Sequence, residues 1–150
     1  MSLFEFARDG KFDEIKTLFK TNNLTKKDIL KERLCDSVYL TPLHVACENG
    51  HLEIVRFFIE KGKLSRDEIM KNYGSCENLL YQPDIRDRAL IIASENGHIE
   101  IVKLLIEKCN LRKKDIVPKN NGGIGIPSLC RASCYGHLEI VKLFIKDFDL

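Results

Sequence analysis

Apolar residues recur along the chain in a pattern that predicts amphipathic helices. Ile54, Val55, Phe58 and Ile59 are spaced so that their side chains share one face of a helix. The sequence of the surrounding stretch, residues 48–59, is repeated nearly unchanged further along the chain, and a weaker copy lies near the start of the chain. The other copies cover residues 9–19, 95–106 and 136–145. A hydrophobic pattern that returns in this way predicts a repeat protein.

A glycine marks the same point in each copy, and these turn glycines are 39 to 47 residues apart. They are Gly10, Gly50, Gly97 and Gly136. Glycine tolerates the left-handed conformation that ends a helix, so each copy is expected to be two helices joined by a tight turn. Thr41 and Pro42 suit the N-cap and the first position of the helix before Gly50. The predicted units cover about residues 1–34, 35–72, 73–117 and 118–150.

A short third helix is expected after each helix pair. A leucine stands fourteen residues after every turn glycine, and in two units it precedes Thr25 and Ser65. Thr25 with Asp28, and Ser65 with Glu68, have the spacing of a capping box, in which side chains and backbone N–H groups bond reciprocally. Arg112 stands at the cap position of the third unit and cannot accept such a bond. The third helix is therefore expected to be weakest there.

The second unit carries the most specific motif. Residues 41–46 (Thr-Pro-Leu-His-Val-Ala) and 49–55 (Asn-Gly-His-Leu-Glu-Ile-Val) together resemble the ankyrin repeat. The third and fourth units keep the leucine and the alanine of this motif but not the Thr-Pro pair or its histidine. The resemblance implies an all-α fold, an ankyrin-type helical solenoid of stacked helix-turn-helix repeats over residues 1–150. The third helix and the long spacing mark a long variant of the repeat.

The resemblance also implies a function, which is the non-enzymatic recognition of a protein partner through the concave groove and the connector tips. Contacts in this family come from variable positions around the first helix of each unit. By repeat position these are Leu40, Glu48, Asn49, Asp87, Glu95, Asn96, Ile126, Cys134 and Tyr135. Their acidic and amide character favours a partner with a basic surface. An alternative is a targeting or scaffold domain at the amino terminus of a larger enzyme or effector.

Charge and composition exclude several other classes of function. The 24 basic and 22 acidic residues are interspersed and leave a formal net charge of only +2, so neither nucleic acid nor a membrane surface is an expected partner. No export signal or membrane-spanning segment is expected from the pattern. Six cysteines without such a signal indicate reduced thiols and a cytoplasmic protein.

Candidate chemistry is limited to one group of residues. Cys130, Cys134 and His137 could share a metal ion, but a fourth ligand is not evident, and Cys134 with His137 is the only enzyme hypothesis that the sequence suggests. A histidine follows each of the three later turn glycines, and a recurring position favours a structural role. The glycine-rich stretch 122–125 lacks the lysine of a phosphate loop and is expected to be a flexible connector. We expect no metal, no cofactor and no catalysis.

The two ends of the array differ in sequence. Glu14 stands where later units have an isoleucine, and a polar outer face is typical of a terminal repeat. The last unit keeps the interior apolar pattern and looks truncated at Leu150, so we expect further repeats beyond it or another molecule, such as a second copy, on that face. The longest connector, residues 73–88, carries apolar side chains that either fold back onto the array or contact the partner.

Overall fold

The computed structural model describes residues 2–35, 38–69, 88–116 and 128–150. Three features considered above lie outside the described residues. They are the connector up to residue 87, the glycine-rich stretch 122–125, and the two candidate contact residues Asp87 and Ile126.

Within the described residues, four helix pairs follow one another, and the first three are each followed by a helix of a single turn. The first unit contains α1 (Leu3–Arg8), α2 (Phe12–Thr21) and α3 (Lys26–Ile29), and it is followed by β1 (Arg33–Cys35) and β2 (Val38–Leu40). The second contains α4 (Pro42–Glu48), α5 (Leu52–Lys61) and α6 (Arg66–Ile69). The third contains α7 (Arg88–Glu95), α8 (Ile99–Cys109) and α9 (Lys113–Ile116), and the fourth α10 (Ser128–Cys134) and α11 (Leu138–Phe148).

The helices are arranged in layers, as the predicted solenoid requires. The first helices α1, α4, α7 and α10 pack in order along the array, and the second helices α5, α8 and α11 pack in order behind them. Ring contacts join α2 to this second layer, with the Phe12 and Phe57 centroids 5.6 Å apart and those of Phe19 and Phe57 5.1 Å apart. The all-α solenoid predicted from the sequence is confirmed.

Side-chain hydrogen bonds explain where the third helices begin. Thr25 Oγ1 accepts from the Lys27 N–H at 3.3 Å, while Asp28 Oδ2 accepts from the Thr25 N–H at 2.8 Å. At the start of α6, Glu68 Oε2 accepts from the Ser65 N–H at 2.9 Å and Ser65 Oγ accepts from the Glu68 N–H at 3.3 Å. Both predicted capping boxes are therefore present, and they satisfy N–H groups that a helix start leaves without a helical partner.

The third helices also link each unit to the next. Ile29, Ile69 and Ile116 are fully buried, and α3 packs on α4 and α5 of the following unit. Lys26 Nζ lies 2.7 Å from Glu68 Oε1, so an ion pair joins α3 to α6. Lys113 Nζ donates to the Asp149 carbonyl oxygen at 2.8 Å, so α9 is joined to the last unit. The third helix is thus a second line of contact between units.

Two left-handed turns recur in every unit. The turn glycines have φ between +72° and +77°, as the position after a first helix requires. A non-glycine residue after each second helix also has positive φ, between +46° and +51°. These residues are Asn23, Lys63, Asn110 and Asp149. Asparagine and aspartate adopt this conformation more readily than lysine, so Lys63 is the strained member of the set.

A short β-hairpin between the first and second units was not predicted. β1 and β2 are antiparallel, with Arg33 opposite Leu40 and Leu34 opposite Tyr39. The Arg33 guanidinium lies 5.2 Å from the Phe4 ring centroid and 3.4 Å from Glu5 Oε1, which holds the hairpin against α1. Strands of three residues are too short for an alternating pattern to identify them.

The two ends of the array differ in the structure as well. Glu14 is exposed, as expected for the outer face of the first unit. In the last unit Ile140 and Phe144 are buried, whereas Ile145 is 48% exposed; the equivalent Ile59 is 5% exposed. The face of α11 that carries Ile145 is therefore more exposed than the corresponding face of α5.

Candidate protein-binding groove

A histidine at the start of each later second helix connects neighbouring units. The Nε2–H groups of His51, His98 and His137 donate to the carbonyl oxygens of Arg8, Glu48 and Glu95 at 2.9, 2.8 and 2.7 Å, respectively. Each acceptor is the last residue of the preceding unit's first helix, whose carbonyl has no partner within the helix. The structural role expected from the recurring position is therefore confirmed.

The same histidine rings fill the space beside the turn glycines. A Cβ atom on Gly10, Gly50 or Gly97 would lie 2.6 to 2.7 Å from the Cε1 atom of the next unit's histidine. At Gly136 no atom lies within 4 Å of such a Cβ. Two features therefore require glycine at positions 10, 50 and 97: the positive φ and the close approach of the imidazole ring.

We call the candidate contact residues in the described ranges the groove edge: Leu40, Glu48, Asn49, Glu95, Asn96, Cys134 and Tyr135. All but Leu40 lie at the carboxyl ends of the first helices or in the turns that follow, whereas Leu40 ends β2 and precedes the amino end of α4. Because the first helices pack in order, their carboxyl ends follow one another along the array. Glu48, Asn49, Asn96, Cys134 and Tyr135 are exposed, while Leu40 and Glu95 are half-buried. Binding by this edge stays a prediction.

The two asparagines of the groove edge have a fixed orientation. Asn49 Nδ2 donates to the Val45 carbonyl oxygen and Asn96 Nδ2 donates to the Ile92 carbonyl oxygen, each at 2.9 Å. Each amide therefore satisfies a carbonyl of its own helix and directs its Oδ1 oxygen away from that carbonyl. The centre of the groove edge consequently presents hydrogen-bond acceptors.

The charge of Glu95 is matched within the molecule. Arg131 Nε lies 3.6 Å from Glu95 Oε2. Tyr135 also approaches this carboxylate, and the pKa of its hydroxyl is raised because the hydrogen bond to Glu95 and the negative charge of Glu95 favour the protonated form. The groove edge is therefore less acidic than the sequence indicated. Sequence analysis missed Arg131, although its repeat position places it beside the preceding unit.

The thiols and histidines of the described residues do not form a metal centre. In the ranges that the structure describes, no group of three or more His, Cys, Asp and Glu side chains could hold a metal ion. Cys130 and Cys134 are exposed, and the Nε2 atom of His137 is hydrogen-bonded to the Glu95 carbonyl. None of the helices in these ranges is long and apolar enough to cross a membrane.

Comparison with known sequences identifies the family. The model of ankyrin repeats (3 copies) matches residues 3–75 and 67–150, which is nearly the whole chain. The chain belongs to the ankyrin repeat family. A search of curated proteins returns no significant match.

The ankyrin fold is also similar to solved structures. One is a chain in the crystal structure of the yeast ribosomal protein Rps3 in complex with its chaperone Yar1, with a TM-score of 0.72 and 24% identity. The similarity covers 99% of this ankyrin chain and 91% of that chain. At this level of identity the similarity establishes the fold, and the ankyrin resemblance inferred from residues 41–55 is confirmed.

Proposed function

We propose that this chain is a non-enzymatic protein-recognition module that binds a protein partner through the groove edge. The observation that carries the proposal is the stacking of the first helices, which brings the exposed Glu48, Asn49, Asn96 and Tyr135 along one surface. Preorganised surfaces bind well because little conformational entropy is lost on association. The known use of stacked repeats as extended binding surfaces supports this function.

The chemistry of the groove edge favours a partner with a basic surface. Glu48 is exposed and negatively charged, and the Asn49 and Asn96 amides present acceptor oxygens beside it. A single exposed ion pair contributes only ~0 to 1 kcal/mol to binding, so such charges contribute more to specificity than to affinity. Affinity would come from a few apolar anchors such as Tyr135.

The yeast complex is consistent with this type of function. Its title names a chaperone bound to a ribosomal protein. By analogy of fold alone, this chain acts as a binding protein in the cytoplasm, and the alternative role as a targeting or scaffold domain at the amino terminus of a larger enzyme or effector would use the same surface. We propose neither nucleic acid nor a membrane as its partner, because the net charge is only +2.

Affinity capture with matched variants tests the proposal. The immobilised chain captures proteins from a cell lysate and is compared with a groove variant, Glu48→Lys, Asn49→Lys. A control variant, Glu53→Lys, Glu100→Lys, also introduces two lysines, on the exposed first turns of α5 and α8. We expect the wild type and the control to capture the same proteins and the groove variant to lose them. Equal recovery by all three chains would show that partners bind elsewhere. Circular dichroism verifies that each variant folds.

A second candidate function is self-association through the exposed face of α11. Leu138 and Ile145 are 59% and 48% exposed and seven residues apart, so they form a stripe along the helix. Glu139 lies near the start of α11 and Lys146 near its end, so an antiparallel second copy would bring these opposite charges together. We expect light scattering to show a dimer that Ile145→Glu dissociates. A monomer at all concentrations would exclude this arrangement.

A further inference from the structure

Two adjacent first helices end on a carboxylate. Glu48 is the last residue of α4 and Glu95 is the last residue of α7, and neither helix has a basic residue in its last turn. By contrast, α1 ends on Arg8 and α10 has Arg131 in its last turn. The carboxyl end of a helix carries a partial negative charge, which an acidic side chain increases and a cation stabilises. The ends of α4 and α7 therefore attract positive charge.

One of these two carboxylates has a cation beside it within the molecule. Arg131, from the following unit, reaches across the junction so that its Nε lies 3.6 Å from Glu95 Oε2. Arg131 stands five residues before Gly136, and the residue five positions before Gly97 is Ile92. The junction at Glu48 therefore has an isoleucine where the junction at Glu95 has an arginine.

The two junctions have the same register. His98 Nε2 lies 2.8 Å from the Glu48 carbonyl oxygen, and His137 Nε2 lies 2.7 Å from the Glu95 carbonyl oxygen. Because the two histidine contacts have nearly equal distances, Ile92 is expected to lie beside Glu48 as Arg131 lies beside Glu95. Positions 92 and 131 therefore differ in side chain, isoleucine or arginine, and not in their place in the repeat.

The surroundings of Glu48 suit an arginine from outside. Among the described side chains, no cation is found within ion-pair distance of Glu48. Ile92 is half-buried and gives an apolar surface along which a long side chain can lie. Asn96 has the repeat position of Tyr135, which approaches Glu95, so its Oδ1 oxygen is expected on the Glu48 side of the junction.

We propose that an arginine of the partner occupies this place, with its aliphatic stem along Ile92 and its guanidinium bonded to the Glu48 carboxylate and the Asn96 amide oxygen. The planar fork of a guanidinium donates to two acceptors at once, which a lysine ammonium does with less geometric match. The inference rests on the proposed binding at the groove edge and names the residue that the groove selects.

Selection from a library of random dodecapeptides on the immobilised full chain tests the inference. We expect the selected peptides to share an arginine, and replacement of that arginine by the neutral isostere citrulline to weaken binding about fivefold in fluorescence anisotropy. The chain variant Glu48→Gln is expected to weaken binding of the arginine peptide by a similar factor. Glu53→Gln, the same change on α5 outside the groove edge, is expected to leave binding unchanged.

A third variant places an arginine of the chain itself at the proposed site. Ile92→Arg reproduces at Glu48 the contact that Arg131 makes with Glu95, so it is expected to weaken binding of the arginine peptide as strongly as Glu48→Gln does. Because Ile92 is half-buried, circular dichroism of this variant verifies folding, and Glu48→Gln gives the same test at an exposed residue.

The outcomes distinguish this inference from the broader proposal. Peptides that are selected but bind equally after Glu48→Gln or after citrulline replacement would overturn the arginine site and leave groove binding in place. Selection of no peptide at all would contradict groove binding and the arginine site together. Lysine peptides that bind as tightly as arginine peptides would contradict the guanidinium geometry.

Discussion

The His98 imidazole Nε2 lies 2.8 Å from the Glu48 carbonyl oxygen, and the ring of the same histidine occupies the space beside Gly50. One side chain therefore satisfies the carboxyl end of α4 and sets the distance between the second and third units. The same relationship joins His51 to the first unit and His137 to the third. Stability of the stack should depend on it at each junction.

Substitution of a turn glycine by alanine tests the contact between the glycine and the histidine ring of the next unit. Gly50→Ala introduces a Cβ 2.7 Å from His98 Cε1 in addition to the strain of a φ of +76°, and Gly136→Ala has a φ of +77° with no atom within 4 Å. We expect Gly136→Ala to lower the free energy of unfolding by ~1 kcal/mol, from backbone conformation alone. Gly50→Ala should cost ~1 to 3 kcal/mol more because the imidazole must move. Urea denaturation followed by circular dichroism measures both.

The double variant Gly50→Ala, His98→Ala isolates the steric part of this effect. With the ring removed, Gly50→Ala should cost about as much as Gly136→Ala, ~1 kcal/mol. If Gly50→Ala is equally costly with and without the imidazole, the contact between Gly50 and His98 does not determine its cost.

Lys63 is the residue at which the fold stores backbone strain. Its φ is +47°, in the region that the equivalent Asn23 and Asn110 also adopt. Lys63→Asn should stabilise the chain by ~0.5 to 1 kcal/mol, because asparagine tolerates this conformation better. Lys61→Asn is the matched control, since Lys61 ends α5 in helical conformation. The control should be neutral or destabilising in thermal unfolding, and stabilisation by both changes would rule out backbone strain as the cause.

The ion pair between Lys26 and Glu68 predicts a pH dependence. The pKa of Glu68 is lowered from 4.5 to about 2, first because the Lys26 ammonium bonds to its carboxylate and then because the Ser65 N–H does. A lowered pKa stabilises the folded chain fully above the ordinary value of 4.5, and this contribution declines progressively as the pH falls from 4.5 and is lost as it passes through about 2. Glu68→Gln should therefore cost up to ~1 kcal/mol at pH 7, since the pair is partly exposed, and less as acid is added.

Denaturant unfolding of wild type and Glu68→Gln at several pH values measures this difference. Glutamine can still accept the Ser65 N–H, so the variant tests the charge and not the cap. In a Lys26→Gln background the cost of Glu68→Gln at neutral pH should shrink. A cost that stays constant between neutral pH and pH 3, or that is the same without Lys26, would contradict the assigned ion pair.

The thiols should differ in reactivity according to their burial. Cys47 and Cys109 are buried in the core, and burial raises the pKa of the Cys47 thiol because the thiolate would lose its hydration. Cys130 and Cys134 are exposed on α10. Brief treatment of the folded chain with iodoacetamide should alkylate the exposed pair and spare the buried pair, as mass spectrometry of the peptides reports. Labelling of Cys47 at the rate of Cys134 would contradict the packing of α4.

The groove edge shows how far sequence patterns predict a site. Repeat position alone indicated Glu48 and Asn49, and the structure places both on the exposed end of α4 and the turn that follows. The same argument counted Glu95 toward an acidic groove, but Arg131 of the next unit matches its charge. Pairing between units depends on which side chains face each other across a junction, and the pattern within a unit does not contain that information.

The sequence by itself determined the local structure of this ankyrin repeat protein. Helix starts, left-handed turns and buried faces each depend on residues within about one helical turn, such as Thr25 with Asp28, and short-range physics decides them. Only the tertiary structure decided what crosses from one unit to the next: the carbonyls that receive the histidines, the partner of Glu95, and the hairpin that Arg33 holds against Phe4 and Glu5. These contacts join residues that are distant in sequence, so their geometry exists only once the units have stacked.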